Sequence, residues 1–326
     1  MADGGVDETW IRRRSIELEY DQDAFERAYR LAQLLREIGE DEWLATRLAL
    51  KGGTCINFFH ANLPRLSVDA DFDYVGTAER ERMKEERPQV EKRFTSLAEE
   101  LGYRVTLVNK PSYIMWRARF EYTNARGNRD NIKADVNFLM RVPLYGVERR
   151  NLPRTFELDP ARVPCLTVDD VYGGKLKALT VRAKPRDMYD AARLFQGHVR
   201  HDEKRLRKAF LFYAHMDDAG LGRVSLDLAR GLTQRDYENV LYPVLREEER
   251  PTAEELAALV LPRVEAMLDL DEREQEFQTR LLAKEFVPDL LFGDVGVTRD
   301  IAKHPAAERR RQYPRRTEKE GPEEDG

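Results

Sequence analysis

Leu66-Ser67-Val68-Asp69-Ala70-Asp71-Phe72-Asp73-Tyr74-Val75 alternates along its length, with Leu66, Val68, Ala70, Phe72 and Tyr74 on one side and Ser67, Asp69, Asp71 and Asp73 on the other. A period of two is the pattern of a strand with one buried face. Its other face is acidic, although acidic residues are depleted in strands. Carboxylates in a row repel and raise one another's pKa unless a cation lies between them. A solvated strand face is the plain alternative. Upstream, the apolar run Leu48-Ala49-Leu50-Lys51 stops at Gly52-Gly53-Thr54, after which a helix can begin. Paired glycines between a strand and a helix let an anion approach the backbone. The helix start adds free N–H groups and the positive end of a dipole. The Thr54 hydroxyl can add one more hydrogen bond.

The flanking segments build a small domain around this pair. Residues 9–37 have helical spacing, with Asp21 or Asp23 as a cap. Residues 78–101 read as a charged helix ended by Gly102. Three strand-like runs follow, Tyr103–Val108, Ile114–Tyr122 and Ile132–Leu139, the last two joined by a turn at Asn124–Asn128. From Thr167 onward the pattern is helical. The expected fold is α+β: a small mixed sheet flanked by helices, with a helical C-terminal domain. The expected division is 1–160 for the sheet with its N-terminal helices, 161–303 for the helical domain, and 304–326 for a disordered tail rich in Arg, Pro and Glu.

Composition fits this layout. The 326 residues can bury a sizeable core, and the formal net charge of −5 does not advertise nucleic-acid binding, although 55 Lys and Arg residues leave room for a local patch. The N-terminus lacks a basic start and an apolar stretch, so no signal peptide is expected. No run approaches the ~20 apolar residues of a membrane span. Cys55 and Cys165 sit in apolar surroundings. A reduced, cytoplasmic protein with buried thiols is the simplest reading.

Two further segments supply chemistry. In Ile132-Lys133-Ala134-Asp135-Val136-Asn137-Phe138, Asp135 lies on the polar face, where a neighbouring strand can bring it beside Asp69 and Asp71. Mg²⁺ takes one or two carboxylates together with substrate phosphates. A trio of acids suits a two-metal phosphoryl site, and an edge-strand surface acid is the alternative for Asp135. Lys175 and Arg182 lie about two turns apart on one helix face. As cations they can offset triphosphate charge. The dense charges from Lys184 to Asp190 follow, and a solvated turn would also explain them.

The ordered set Lys51-Gly52-Gly53-Thr54, Pro64-Arg65-Leu66-Ser67-Val68-Asp69-Ala70-Asp71-Phe72 and Lys175-Leu176-x-Ala178-Leu179-x-x-Arg182-x-Lys184-x-Arg186-Asp187-x-Tyr189-Asp190 resembles the AbiEii/Menshen-type nucleotidyltransferase toxin family over roughly residues 40–200. The resemblance implies a nucleotidyltransferase-like sheet and transfer of a nucleotide from an NTP to an acceptor, with release of pyrophosphate. Gly52, Gly53, Thr54, Ser67, Lys175 and Arg182 would bind the nucleotide. Asp69 and Asp71 would hold Mg²⁺, with Asp135 as a less constant third acid. Lys175 and Asp190 would complete the catalytic set. Asp73 is an extra acid, and Gly173-Gly174 stands where a helix former is expected. For some members the acceptor resembles the 3′ end of tRNA, and its modification blocks translation. The resemblance therefore implies an RNA acceptor and a cognate antitoxin. Transfer to a protein or small molecule, and a non-catalytic nucleotide-binding module, are the alternatives. An RNA acceptor needs a basic surface. Arg182, Lys184, Arg186, Lys204, Arg205, Arg207 and Lys208, or Arg12-Arg13-Arg14, are the candidates from sequence.

Overall fold

The computed structural model describes residues 7–108, 112–216, 221 and 224–312. Helices α1 (Glu8–Glu17) and α2 (Gln22–Glu40) open the chain. The Asp7 carboxylate accepts from the Thr9 and Trp10 N–H groups, and the Asp21 carboxylate from that of Ala24. Strand β1 (Leu48–Leu50) runs into the short helix α3 (Gly52–Thr54) and a π-helical turn, Cys55–His60. Then come β2 (Asp69–Tyr74), α4 (Arg80–Glu100), β3 (Arg104–Leu107), β4 (Met115–Thr123), β5 (Arg129–Asn137), β6 (Val147–Asn151) and β7 (Arg162–Leu166). Helices α5 (Val168–Val181), α6 (Pro185–Phe195) and α7 (Glu203–Met216) follow. The remainder is α8 (Asp227–Arg230), α9 (Gln234–Val240), α10 (Ala253–Met267), α11 (Glu272–Leu282), α12 (Pro288–Phe292) and α13 (Pro305–Gln312).

The seven strands form one mixed sheet in the order β3-β4-β5-β2-β1-β7-β6. Strand β2 is parallel to β5 and β1 to β7, while the other pairs are antiparallel. This is the expected α+β class, with two strands more than the sequence suggested. Strand β6 reads Val-Glu-Arg-Arg-Asn and β7 contains Pro164, so neither carries a clean alternating signal. Strand β7 nevertheless lies between β1 and β6, so the sheet does not end at residue 160 but takes in 162–166. The expected tail from residue 304 also begins differently. Pro305–Gln312 is helical, with Ala306 and Ala307 buried, and only residues 313–326 lie outside the described residues.

One face of the sheet builds the core. Ala70, Phe72, Trp116, Ala118, Phe120, Ile132, Ala134 and Val136 are buried on it. They meet Phe94 of α4, whose ring lies edge-on to Phe72 at 5.6 Å and to Phe120 at 5.4 Å. Each Phe, Ile or Val among them contributes about 1.5–3 kcal/mol on burial. Helix α5 packs against α3 and the π-helical turn. The opposite face of β2, β5, β4 and β3 carries the alternate residues, which are partly or fully exposed apart from Asp73. Among the described residues, no helix is long and apolar enough to cross a membrane. Cys55 and Cys165 are both buried and free, brought near each other where β1 pairs with β7.

Candidate active site

The Gly-Gly turn closes onto β2. The Lys51 N–H donates to the Asp71 carbonyl at 2.9 Å. Gly52 then takes φ +68°, and a Cβ there would stand 2.7 Å from Asp71 Oδ2. At Gly53 a Cβ would meet Arg65 Nη2 at 2.8 Å and Ser67 Oγ at 3.2 Å. Gly52 is required by its left-handed backbone, and Gly53 by the close approach of the buried Arg65 guanidinium held on Asp190. Gly52→Ala is expected to destabilise by about 1–3 kcal/mol through backbone strain alone. Gly174 is the contrast, since a Cβ there meets nothing within 4 Å in the middle of α5. Gly174→Ala is expected to stabilise by about 0.5–1 kcal/mol. Urea unfolding measures both, and equal midpoints for the two variants would contradict the geometry.

Thr54 does not face outward as its sequence position suggested. It is buried, and its hydroxyl donates to the Asp69 carbonyl at 2.6 Å and lies 2.9 Å from Ser67 Oγ. Ser67 is buried too. The two hydroxyls pin the turn to the strand, which leaves the glycine backbone to approach a ligand.

The three acids of β2 separate into two roles. Asp73 is buried and receives Lys51 Nζ at 2.6 Å, so the third carboxylate of the row already has its cation. Asp69 and Asp71 remain partly exposed. Burial pushes the Asp71 carboxyl up to about 6, helped by the charges of Asp69 and Asp135 and opposed by Lys51 and Lys175. The parallel register sets Asp71 beside Asp135 and Asp69 beside Lys133. The expected neighbours therefore come together, but Asp135 takes Arg117 Nε at 3.2 Å. Among the described residues, no group of three or more His, Cys, Asp and Glu side chains is placed to hold a metal. The donor set that fits a divalent cation is the pair Asp69 and Asp71, whose mutual repulsion a cation would relieve.

Lys175 and Asp190 do meet, 2.9 Å apart, but below the surface. Lys175 Nζ also donates to Asp187 Oδ1 at 2.9 Å. Arg65 grips Asp190 with two parallel bonds, Nε to Oδ1 at 2.8 Å and Nη2 to Oδ2 at 2.7 Å. Despite burial, Arg65 and Lys175 hold the Asp190 carboxyl down to about 2. Asn57 Nδ2 spans the Gly53 carbonyl at 2.8 Å and Asp190 Oδ1 at 3.2 Å. This buried network thus ends on the Gly-Gly turn. It has three cations, Arg65, Lys175 and Arg182, against two carboxylates, Asp187 and Asp190. The uncompensated charge is borne outward by Arg182, whose Nε lies 3.3 Å from Asp187.

Arg65, Asn57 and Asp187 were not singled out as site residues from sequence. Their only signal was position within the two charged segments, because a buried arginine and a surface arginine read alike. Gly173-Gly174 does not break α5, which runs through both. A Cβ at Gly173 would stand 2.5 Å from Ala209 Cβ, so this glycine lets α5 lie close against α7. Nothing in the structure accounts for Gly174. The basic segments change meaning as well. Arg207 and Lys208 pair with Glu274, Arg205 lies 3.6 Å from Asp169, and Arg186 Nε donates to the Val240 carbonyl at 3.0 Å. Arg14 pairs with Glu17 and Glu157.

A family model described as nucleotidyl transferase AbiEii toxin, Type IV TA system, matches residues 33–283. Among solved structures the chain is similar to MenT4, a nucleotidyltransferase toxin from Mycobacterium tuberculosis H37Rv, with a TM-score of 0.59 and 20% identity. That likeness covers 84% of this chain and 94% of the other. At this identity it speaks for the fold. No match was found among curated proteins.

Proposed function

Because the chain belongs to the AbiEii toxin family of nucleotidyltransferases, we propose that it transfers a nucleotide from an NTP to an RNA acceptor, the 3′ end of tRNA, and so blocks translation. The observation that carries this reading is the pair Asp69 and Asp71 set against the Gly52-Gly53 backbone. The partly exposed carboxylates and the bare turn can face one triphosphate together. A Mg²⁺ ion held by Asp69 and Asp71 would neutralise phosphate oxygens and favour attack by an acceptor hydroxyl. The chain itself positions and compensates charge, which is most of what nucleotidyl transfer needs.

Lys175 and Asp190 are positioning residues in this reading. Their buried ion pairs hold Arg65 and Asn57 against the turn, and Arg182 is the network's exposed cation. A cognate antitoxin and a cytoplasmic setting follow from the toxin–antitoxin family and remain part of the proposal.

The test is incorporation of each of the four labelled NTPs into a total RNA pool with Mg²⁺, with products separated by size. Label in the tRNA band is the expected result. Label only in protein or in a small molecule would replace the acceptor and keep the chemistry. No incorporation into any acceptor, with NTP binding intact, would leave a non-catalytic nucleotide-binding module.

A further inference from the structure

Strands β5, β4 and β3 leave one face exposed, and that face begins beside the candidate carboxylates of β2. The register fixes what lies beside them. Asp69 pairs with Lys133, Lys133 with Arg119, and Arg119 with Thr106, a single row crossing β2, β5, β4 and β3. The next row is Asp71, Asp135 and Arg117. With neighbouring strands about 4.8 Å apart, the first row places cations roughly one and two strand spacings from Asp69. Lys133, Arg117 and Arg119 are all exposed. Arg117 is paired with Asp135. Lys133 and Arg119 make no hydrogen bond or salt bridge among the described residues, and Arg119 acts on Glu121 only at longer range. Arg104 at the edge is already paired with Glu121.

We propose that this strip, Lys133 and Arg119 with Arg117 at its margin, is the track along which the phosphodiester backbone of a single-stranded RNA end reaches Asp69 and Asp71. The proposal rests on the nucleotidyl-transfer reading and specifies its acceptor site. Charge is the reason. A face that is acidic at β2 and carries cations one and two strands away does not draw a polyanion to the carboxylates themselves. It holds the polyanion beside them, with only its terminus over the acids. The strip lies on paired strands, and Lys133 and Arg119 make no hydrogen bond or salt bridge among the described residues, unlike Arg205, Arg207 and Lys208, which are paired with acids.

The experiment is equilibrium binding of a fluorescent single-stranded oligoribonucleotide to the full chain over a range of salt. Three proteins are compared: wild type, Arg119→Glu/Lys133→Glu, and Arg12→Glu/Arg13→Glu on α1. Losing two phosphate contacts is expected to reduce affinity roughly 10-fold or more near 0.1 M salt and to flatten the log–log salt slope by about 1.4. The α1 variant should match wild type in both RNA and NTP binding. Unaltered RNA affinity and slope in the strip variant, or a loss confined to the α1 variant, overturns the proposal. So does a wild-type chain with no salt-dependent RNA binding, even if labelled NTP is still transferred to another acceptor. RNA binding lost with the strip while no transfer occurs would keep the track and remove the catalytic reading.

Discussion

Asp69→Asn and Asp71→Asn each reduce nucleotide transfer by on the order of 10²–10³-fold or more, because each removes a charge from the pair that a divalent cation would bridge. Steady-state incorporation of labelled NTP measures this, and activity within a few-fold of wild type in either variant would remove the pair from the chemistry. The same change at Asp71 has an opposite effect on stability. Its folded pKa of about 6 lies above the ordinary aspartate value of 3.8, since burial and the charge of Asp69 disfavour ionisation. The folded state therefore binds more protons across that window, and stability falls as pH rises from 3.8 to 6. At pH 7 the ionised carboxylate costs on the order of 1–3 kcal/mol. Asp71→Asn should raise the unfolding free energy of the metal-free protein at pH 7 and lose this advantage near pH 4. A variant that is less stable at pH 7 would contradict the electrostatic account.

Arg65→Met is expected to cost about 3–5 kcal/mol, because it removes a bidentate partner from the buried Asp190 carboxylate. The double variant Arg65→Met/Asp190→Leu should recover much of that loss, since the buried carboxylate that lost its bidentate partner is removed with it. Asp190 also gives a pH signature. Its carboxyl is held down to about 2, mainly by Arg65 and then Lys175 acting against burial. A depressed carboxylate contributes stability above 3.8, and that contribution is lost as pH falls from 3.8 to 2. Wild type should therefore show a steeper acid loss in that window than the Arg65→Met variant. Urea unfolding across pH resolves both effects. A single variant as stable as wild type would mean that Lys175 alone satisfies Asp190. Nucleotide affinity should fall along with stability, since Arg65 and Asn57 support Gly53.

The elements closest to the candidate site were legible because their signals are local. Alternation announced β2, and the glycine pair announced the turn before it. The hairpin of β4 and β5 showed in its own period and its turn residues. The less legible elements depend on partners distant in the chain. Strand β7 is short and contains Pro164, so its place beside β1 becomes visible only once the sheet is assembled. The charged segment at 175–190 was recognisable as a motif, but its burial was not. A lysine held by two carboxylates and a lysine facing solvent have the same sequence neighbours.

The acidic strand, the Gly-Gly turn, the α+β class and the family resemblance could be read from residue order, because periodicity and backbone permissiveness are properties of adjacent residues. Which charges are paired and which stay accessible follows from the packing of distant segments. Asp73 is neutralised by Lys51, Asp135 leans toward Arg117, and Lys175 and Asp190 are sealed in a network with Arg65. Asp69 and Asp71 stay partly open, and Lys133 and Arg119 stay exposed on the same face. The physical reason is that a charge's role depends on its solvation and its nearest opposite charge, and both are set by strand register and helix packing between residues far apart in the chain.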